Sequence, residues 1–432
     1  MSFSNFTSAR RLTTPQAVQE YVQANLRWNL GAGIMDAIFV MLAMQIVSTE
    51  TVMPLLITRL GASPVLLGTV MAINSVVTFV PQLFAAGIIE ERRFKKPVSV
   101  VGSGIDRLGY LLIGIAVWIW GANAPTLALA VFVLARTLTG SALGFSVPAW
   151  LTLIGKVIPT RRRGIFLGIG RGIGSLLGAG GALLAGRILD TQPFPQNFAL
   201  CFFLAFGAFV LSWTGLTITK EPPDLETRPR PPLKAYFAGL PARLRADRNF
   251  AAFLIARPVT ALGTMAVSFY IVYAAQRFGL SGAAVGALTA TNALSQGIMY
   301  LVWGLIADRH GHKLVLCLGN AALAAAALAV LLSGNLLGVY LAFALVGSSL
   351  SAEMISATSI LLEFASPAER PTYIGLSNTL VAPFRVLAPI IGGALATSLG
   401  FGTLFVVAAA ISLLGVAWMA LRVVEPRNAG GA

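Results

Sequence analysis

The sequence predicts an all-α membrane protein with twelve transmembrane helices in two related halves of six. Three features predict this class: the composition, the number of long apolar segments, and a charged block that occurs twice. The chain has 432 residues, of which 56% are hydrophobic and only 11% are charged. A soluble globular protein carries roughly 25% charged residues. The composition therefore indicates a chain that lies mostly within a membrane.

Twelve apolar segments each exceed the ~20 residues that a helix needs to cross a bilayer. The strands of a membrane barrel would instead show alternating stretches of ~10 residues, which this sequence lacks. The predicted spans are residues 30–57, 65–89, 97–120, 125–155, 164–188, 197–219, 251–276, 283–306, 313–333, 336–363, 371–398 and 401–424.

The repeated block connects two spans in each half of the chain. Residues 87–96 recur 217 positions later as residues 304–313, with the glycine, the acid, the arginine and the final lysine at the same offsets. Ser63, Gly68 and Asn74 also recur, at an offset of 218. Such duplication is typical of transporters that rock one half against the other.

The domain organisation follows from the duplication. A cytoplasmic N-terminal segment begins the chain and contains a short interfacial helix, for which Thr14 is the expected cap and Pro15 the first helical residue. A hydrophilic, proline-rich loop joins the halves, and its second part could form an amphipathic helix. The predicted divisions are 1–29 (N-terminal segment), 30–219 (first half), 220–250 (central loop), 251–424 (second half) and 425–432 (cytoplasmic tail).

The placement of basic residues sets the predicted topology. The net charge is +15, which could suggest nucleic acid. However, 23 of the lysines and arginines fall in alternate loops and the termini, and the opposite loops hold only Arg59, Arg187 and Arg277. This asymmetry predicts cytoplasmic termini. We interpret the basic runs as topology signals that contact anionic lipid, and we expect no nucleic-acid partner.

The fifth predicted span is rich in glycine. Gly170, Gly174 and Gly178 repeat at four-residue spacing, which lets helix backbones approach closely. The eleventh span, at the matching place in the second half, carries Pro383 and Pro389, which favour a bend. Both close packing and a sliding or bending surface remain open as interpretations.

Motifs of soluble enzymes and metal sites are not found. The sequence has no phosphate-binding loop, and its glycine run lies in an apolar span. The only histidines are His310 and His312, on one loop, so we expect neither a metal nor a cofactor. Cys201 and Cys317 lie in spans of different halves and are interpreted as buried apolar residues rather than a disulfide.

The two charged blocks resemble the signature loop of the major facilitator superfamily. Gly304-x-x-x-Asp308-Arg309-x-Gly311-x-Lys313 fits it closely, and the first copy departs from it, with Glu91 as the acid and no second glycine. Arg136-Thr-Leu-Thr-Gly140 resembles the superfamily's Arg-x-x-x-Gly motif. The antiporter pattern of the fifth span is only half met, because Ala179 stands where that pattern has proline.

The resemblance implies a two-domain transporter that works by alternating access. It places spans 1, 4, 7 and 10 around a central cavity and spans 2, 5, 8 and 11 at the interface. It also implies that the paired loops control gating. The predicted gating residues are Glu91, Arg92, Asp308, Arg309 and Lys313.

Nine ionisable residues lie within the predicted spans, where each charge costs on the order of 2.5–3.5 kcal/mol. They are Asp36, Glu50, Asp106, Arg107, Arg136, Arg171, Arg257, Glu353 and Arg385. Seven of them fall on spans that the resemblance assigns to the cavity or the interface. Local ion pairing is the alternative interpretation for each.

From these charges we select the candidate site. Asp36 and Arg257 lie nearer the cytoplasm and are candidates for gate ion pairs. The deeper candidates for solute or proton contact are Glu50, Arg136, Glu353 and Arg385, with Asn74 and Asn292 as polar lining residues. Glu50 precedes Pro54 by one turn, a placement that resembles drug–proton antiporters.

The sequence predicts a monomeric secondary transporter of a prokaryotic cytoplasmic membrane, not an enzyme. The expected partners are a small organic solute, protons and the bilayer. Export of an amphipathic, drug-like compound is the first expectation, and uptake or exchange of an organic anion or a sugar-like solute is the alternative. A membrane sensor that binds without transport and an intramembrane enzyme are the rivals from other classes.

Overall fold

The computed structural model describes residues 12–225, 247–365 and 370–429, and within them the fold is α-helical without strands. The helices are α1 (Pro15–Ala24), α2 (Leu26–Ile46), α3 (Val52–Arg59), α4 (Pro64–Glu90), α5 (Lys96–Trp120), α6 (Pro125–Val157), α7 (Thr160–Thr191), α8 (Gln196–Ile218), α9 (Arg248–Gly263), α10 (Val267–Phe278), α11 (Gly282–His310), α12 (His312–Leu332), α13 (Leu336–Phe364), α14 (Arg370–Ser398), α15 (Gly400–Arg422) and α16 (Pro426–Ala429).

The predicted membrane-spanning class is confirmed by these helices. In the described part of the chain, eleven helical segments are long and apolar enough to cross a bilayer. Helix α11, at the place of the predicted eighth span, has 29 residues and is long enough to span, but it is less apolar than the others. Most of the amphipathic helix predicted in the central loop lies outside the described residues.

Two predicted spans are not single α-helices. The first is divided into α2 and α3 by a non-helical stretch, residues 47–51. The seventh comprises α9, one 3₁₀ turn (Thr264–Ala266) and α10, with Pro258 inside α9. The short helix predicted before the first span is present as α1, and the Thr14 hydroxyl accepts a hydrogen bond from the backbone N–H of Ala17 at 3.3 Å. Its interfacial position remains a prediction.

The described residues form two compact units. The first contains the residues up to Ile46, Val77–Gly181 and the stretch from Phe194 to 225. Its helices pack through glycines: a Cβ on Gly102 of α5 would lie 2.6 Å from the carbonyl oxygen of Ala142 on α6. These small residues bring the backbones close enough for polar side chains to bridge neighbouring helices.

In the same unit, Gly170, Gly174 and Gly178 of the fifth predicted span face α2. A Cβ on Gly174 would lie 3.0 Å from Met41, and one on Gly178 would lie 2.8 Å from Gln45. These three glycines therefore serve close packing of α7 on α2. The sliding interpretation remains a prediction.

The second unit contains Val47–Val76, Ala182–Pro193 and the described residues from 247 onward. It thus includes α3, the first part of α4 and the last part of α7, together with α9–α16. A buried cluster in this unit joins aromatic side chains of α9 to Tyr373 of α14 and to residues near the end of α15. This cluster fixes the helices that carry the charged residues described next.

Candidate functional site

Three predicted residues of the second unit form one charged cluster, the Arg257–Glu353–Arg385 triad. Arg257 lies on α9, Glu353 on α13 and Arg385 on α14. Arg257 donates from Nη1 to Glu353 Oε2 at 2.7 Å and from Nη2 to Oε1 at 2.5 Å. Arg385 Nη2 donates to the same Oε1 at 2.7 Å. The carboxylate therefore holds two guanidinium groups, and the cluster has a formal charge of +1.

The triad is buried on one side and accessible on the other. The Arg257 side chain is 6% exposed, whereas Glu353 is 29% and Arg385 is 34% exposed. The Arg257 Nε atom is buried and finds no acceptor among the described residues. Charged groups at membrane depth face a protein interior or a hydrated cavity rather than lipid. The accessible edge of the triad is therefore a suitable surface for a polar solute.

Asp36 belongs to a different cluster, in the first unit. Its Oδ1 accepts a hydrogen bond from Ser212 at 2.6 Å, and its Oδ2 accepts one from the Trp150 indole at 2.8 Å. Arg107 Nη2 lies 3.9 Å from the Asp36 carboxylate. Arg107 also donates to the carbonyl oxygens of Ser103 and Phe209, so it joins α5 to α8. This buried network holds α2, α5, α6 and α8 together.

Arg136 pairs with Asp106 in the same unit. Its Nη1 donates to Asp106 Oδ1 at 3.0 Å, and its guanidinium lies 5.0 Å from the centre of the Tyr110 ring. The Arg136 and Asp106 side chains are only 6% and 4% exposed. The local pairing considered for Asp106 is therefore present, with Arg136 as its partner. A contact between Arg136 and solute remains a prediction.

Glu50 lies in the non-helical stretch between α2 and α3. Its two carboxylate oxygens accept hydrogen bonds from the hydroxyls of Ser48 and Thr49, at 2.8 and 2.9 Å. Thus Glu50 is not on a helical turn before Pro54, because the chain leaves the helix after Ile46. Irregular backbone at membrane depth occurs where it is buried in protein or lines a cavity, and broken helices often border transporter sites.

The two predicted asparagines differ in their surroundings. Asn292 on α11 is 2% exposed, and its Oδ1 accepts a hydrogen bond from Gln296 at 2.8 Å. A Cβ on Gly347 of α13 would lie 3.0 Å from the same Oδ1, so Asn292 lies at a close helix contact. Asn74 on α4 is half-buried. The structure thus gives Asn292 a packing role, and a lining role for Asn74 stays a prediction.

The predicted gating residues lie at the ends of helices. Glu91 and Arg92 follow α4, and Asp308 and Arg309 are in the last turn of α11, and all four are exposed. Lys313 differs, since its backbone N–H donates to Glu425 at 2.9 Å and its ammonium group donates to the carbonyl oxygen of Ala420. The first turn of α12 is therefore tied to the chain beyond α15.

Glu221 and Glu425 are functional candidates that the sequence analysis missed. Glu221 accepts hydrogen bonds from the backbone N–H groups of Lys95 and Lys96, at 2.7 and 2.8 Å, so it caps α5. Glu425 caps α12 in the same way, through the N–H of Lys313. The signal was a Glu-Pro pair that follows the sixth and twelfth spans, 204 residues apart. Each signature loop is thus anchored by an acid from the end of its own half.

The two caps differ in their charged neighbours. Glu221 lies 2.8 Å from the Lys156 ammonium group. Glu425 instead faces another carboxyl group, Glu363 of α13, and Oε1 of Glu425 and Oε2 of Glu363 are both buried without a donor among the described residues. A proton shared between the carboxyls would satisfy both atoms. Burial, reinforced by Glu363, raises the pKa of Glu425 above its ordinary value.

Arg427 and His312 surround the Glu363 carboxyl group. Arg427 Nε donates to Glu363 Oε1 at 2.5 Å, and its Nη1 donates to the carbonyl oxygen of Ala307 at 3.0 Å. His312 Nε2 lies 3.7 Å from Glu363 Oε1. In the part of the chain that the structure describes, no group of His, Cys, Asp and Glu could hold a metal ion.

The comparison with protein families identifies the class. The family model of the Major Facilitator Superfamily matches residues 35–257 and 253–432, so it covers both halves. The chain therefore belongs to the major facilitator superfamily of membrane transporters. No curated protein sequence matches the chain.

Solved structures share the fold of this chain. The nucleoside transporter NupG superposes with a TM-score of 0.69 at 14% identity, over 90% of this chain and 99% of that chain. A D-xylose-proton symporter gives 0.68 at 12%, over 93% and 99%. The human organic anion transporter MFSD10 (TETRAN) gives 0.63 at 15%, over 91% and 99%. At these identities the likeness shows the fold, and it leaves the solute open.

Proposed function

We propose that this protein is a proton-coupled secondary transporter that moves a small organic anion by alternating access, with the Arg257–Glu353–Arg385 triad as its solute site. The proposed location is a prokaryotic cytoplasmic membrane, with both termini in the cytoplasm. The triad is the observation that carries the proposal. The transporter fold alone indicates that a solute is moved, but it gives no information on the charge of that solute.

The charge of the triad favours an anion over an amphipathic cation. Two guanidinium groups share one carboxylate, and the resulting positive charge lies at an accessible edge. An approaching cation would be repelled, whereas a carboxylate or phosphate group could form charge-assisted hydrogen bonds with the arginines. The arrangement therefore supports the organic anion alternative better than export of a drug-like compound.

Glu353 can exchange with a solute anion as the partner of the two arginines. While it is ionised it occupies both arginines, and a solute anion or protonation of Glu353 would release them. Competition between Glu353 and the solute for the same guanidinium groups would keep the affinity moderate, as a carrier that must release its cargo requires. Glu50, in the break of the first span, is the proposed proton-carrying group, and Glu353 is the second candidate.

The test is a flux screen with purified protein in liposomes. Carboxylates, phosphate esters, sugars and lipophilic cations would be offered with and without a pH gradient. We expect an anion to be transported and Arg385→Gln to raise its KM by roughly tenfold, the effect of one charge-assisted hydrogen bond of about 1.5 kcal/mol. Arg385→Lys should retain part of the affinity.

Arg422→Gln is the matched control, since it removes one positive charge from an exposed position at the end of α15. Transport of a lipophilic cation with a KM that Arg385→Gln leaves unchanged would contradict the proposal and restore the export hypothesis. Solute binding without flux in either direction would identify a sensor instead.

A further inference from the structure

The end of α7 is attached to the start of α11 by a carboxylate. Asp190, in the last turn of α7, accepts a hydrogen bond from the backbone N–H of Gly282 through Oδ1 and one from the N–H of Ala283 through Oδ2, the second at 2.7 Å. Both helices belong to the second compact unit at this point. The contact joins residues 92 positions apart in sequence.

Asp190 completes the capping of α11. A helix begins with N–H groups that have no partner within the helix. In α11, the first two N–H groups donate to Asp190. The third, that of Ala284, donates to the side chain of Ser281 at 3.1 Å. A negative charge at this end is also favoured by the helix dipole. Asp190 is exposed, so water can replace the carboxylate when the contact opens.

Beneath the carboxylate, the two backbones touch. A Cβ on Gly282 would lie 2.5 Å from the carbonyl oxygen of Gly186, and a Cβ on Gly286 would lie 2.6 Å from that of Ala182. One turn further along α11, the hydroxyls of Thr289 and Thr51 are 2.7 Å apart and buried. This close contact, made mostly by backbone atoms, can separate without repacking large side chains.

A second contact of the same kind joins α4 to α14. Gly68 faces the carbonyl oxygen of Pro389, and Gly393 faces that of Pro64, with no room for a Cβ at either glycine. In the predicted topology all of these residues lie near the outer surface. Helices α4 and α7 come from the first half of the sequence, and α11 and α14 come from the second.

We infer that Asp190 and the first turn of α11 form an outer latch, which holds the outer ends of these helices together in the outward-closed state and releases when the outer side opens. The inference rests on the proposed alternating-access function. The latch consists of the Asp190 carboxylate. The glycine contacts beneath it allow the helix backbones to separate.

The first experiment measures the latch without any solute. Spin labels at positions 192 and 276, in full-length protein with Cys201 and Cys317 replaced by alanine, would report the distance between the end of α7 and α10. We expect Asp190→Ala to increase the longer-distance population by roughly threefold, the size expected for a carboxylate at a surface-exposed helix N-terminus. Asp190→Asn should have a smaller effect.

Ser281→Ala is the matched control. Ser281 caps the same helix as Asp190 does, but its side chain makes no bond between α7 and α11. A distance distribution that changes as much in Ser281→Ala as in Asp190→Ala would overturn the latch and leave only a helix-stability effect. An unchanged distribution in Asp190→Ala would overturn it as well.

A cross-link provides a second test. Cysteines at positions 190 and 283 in the same background, once oxidised, should stop flux, and reductant should restore it. Flux at the unmodified rate through the cross-linked protein would refute the latch. If the distances shift as expected while no solute class is transported, the latch stands and the proposed transport function fails.

Discussion

Arg257 meets Glu353 through two parallel hydrogen bonds, Nη1 to Oε2 at 2.7 Å and Nη2 to Oε1 at 2.5 Å. This fork-to-carboxylate geometry connects α9 to α13 and leaves Arg385 as a second guanidinium on the same oxygen. Removing Glu353 would therefore leave two positive charges together at membrane depth. The arrangement makes Glu353 important for both stability and solute binding.

We expect Glu353→Gln to destabilise the protein by about 2–3 kcal/mol. Breaking a fully buried pair costs roughly 3–5 kcal/mol, and the cost is reduced here because Glu353 and Arg385 are partly exposed. Thermal unfolding in detergent measures the change. The double variant Arg257→Gln with Glu353→Gln should recover part of the loss. Additive losses would show that the pair is not energetically coupled.

Glu50→Gln tests the proposed coupling residue. Glutamine mimics a protonated carboxyl group, so we expect the variant to fold normally, to lose transport driven by a pH gradient, and to retain downhill exchange. Flux in liposomes with and without the gradient distinguishes these effects. Gradient-driven flux equal to that of the unmodified protein would exclude Glu50 and leave Glu353 as the candidate.

Asp308→Asn tests the predicted gating loop. Asp308 is exposed in this structure, and its carboxylate could bond to the N-terminus of a neighbouring helix in another conformation. We expect the substitution to impair transport while solute binding stays measurable, because it shifts a conformational equilibrium rather than removing the site. Glu91→Gln should have a smaller effect, since its loop departs from the motif. Normal transport by Asp308→Asn would reject the gating role.

Glu425→Gln tests the cytoplasmic carboxyl pair through pH. The folded pKa of Glu425 is raised above its ordinary value of 4.5. The folded protein therefore binds this proton more tightly than the unfolded chain does. The stabilisation that this proton gives to the folded protein is fully present below the ordinary pKa of 4.5. It is lost as the pH rises through the raised pKa of Glu425.

Glutamine cannot titrate, yet its carbonyl oxygen can still accept from the N–H of Lys313. We therefore expect a smaller fall in melting temperature between pH 5 and pH 7.5 in Glu425→Gln than in the parent protein. Glu221→Gln is the control, since it breaks a contact with Lys156 instead of relieving two facing carboxyls. An unchanged pH profile in Glu425→Gln would show that the pair does not share a proton.

Cysteine labelling tests the predicted topology. Because basic residues concentrate in alternate loops, single cysteines at positions 2, 227 and 428 should react only from the cytoplasmic side. Cysteines at positions 123 and 335 should react only from the outside. Labelling of position 227 from the outside alone would reverse the orientation and, with it, the side on which the Asp190 contact lies.

The helices of the fold could be predicted because their signals are local. The length of each apolar segment predicts a span, and the Thr14-Pro15 pair predicts the start of α1. The break at residues 47–51 was missed because its residues, among them Ser48, Thr49 and Thr51, include neither glycine nor proline. The stretch bonds to itself through side chains, and that competition with helix formation is only weakly visible in a sequence.

The ionisable residues within the spans could be selected from the sequence, but their pairings could not. Arg257 and Asp36 are each predicted as gate candidates, and the structure pairs Arg257 with Glu353 and Arg385, whereas Asp36 accepts from Ser212 and Trp150. Arg136 was selected as a deep charge, and its partner proved to be Asp106. Pairings between helices far apart in sequence depend on helix rotation and neighbour order, which a single sequence does not reveal. The Glu-Pro pairs at Glu221 and Glu425 are visible in the sequence, but they were not recognised as candidate helix caps.

The bonds of Arg107 have a consequence for biosynthesis. Its guanidinium donates to Phe209 and Ser212 of α8, and α8 is translated about one hundred residues after α5. Until then, α5 must enter the bilayer with Arg107 lacking its acceptors on α8, at an insertion cost of about 2.5–3.5 kcal/mol for the charge. Membrane integration of α5 should therefore be incomplete in nascent chains that end before α8, and it should become stable only when the later helices arrive.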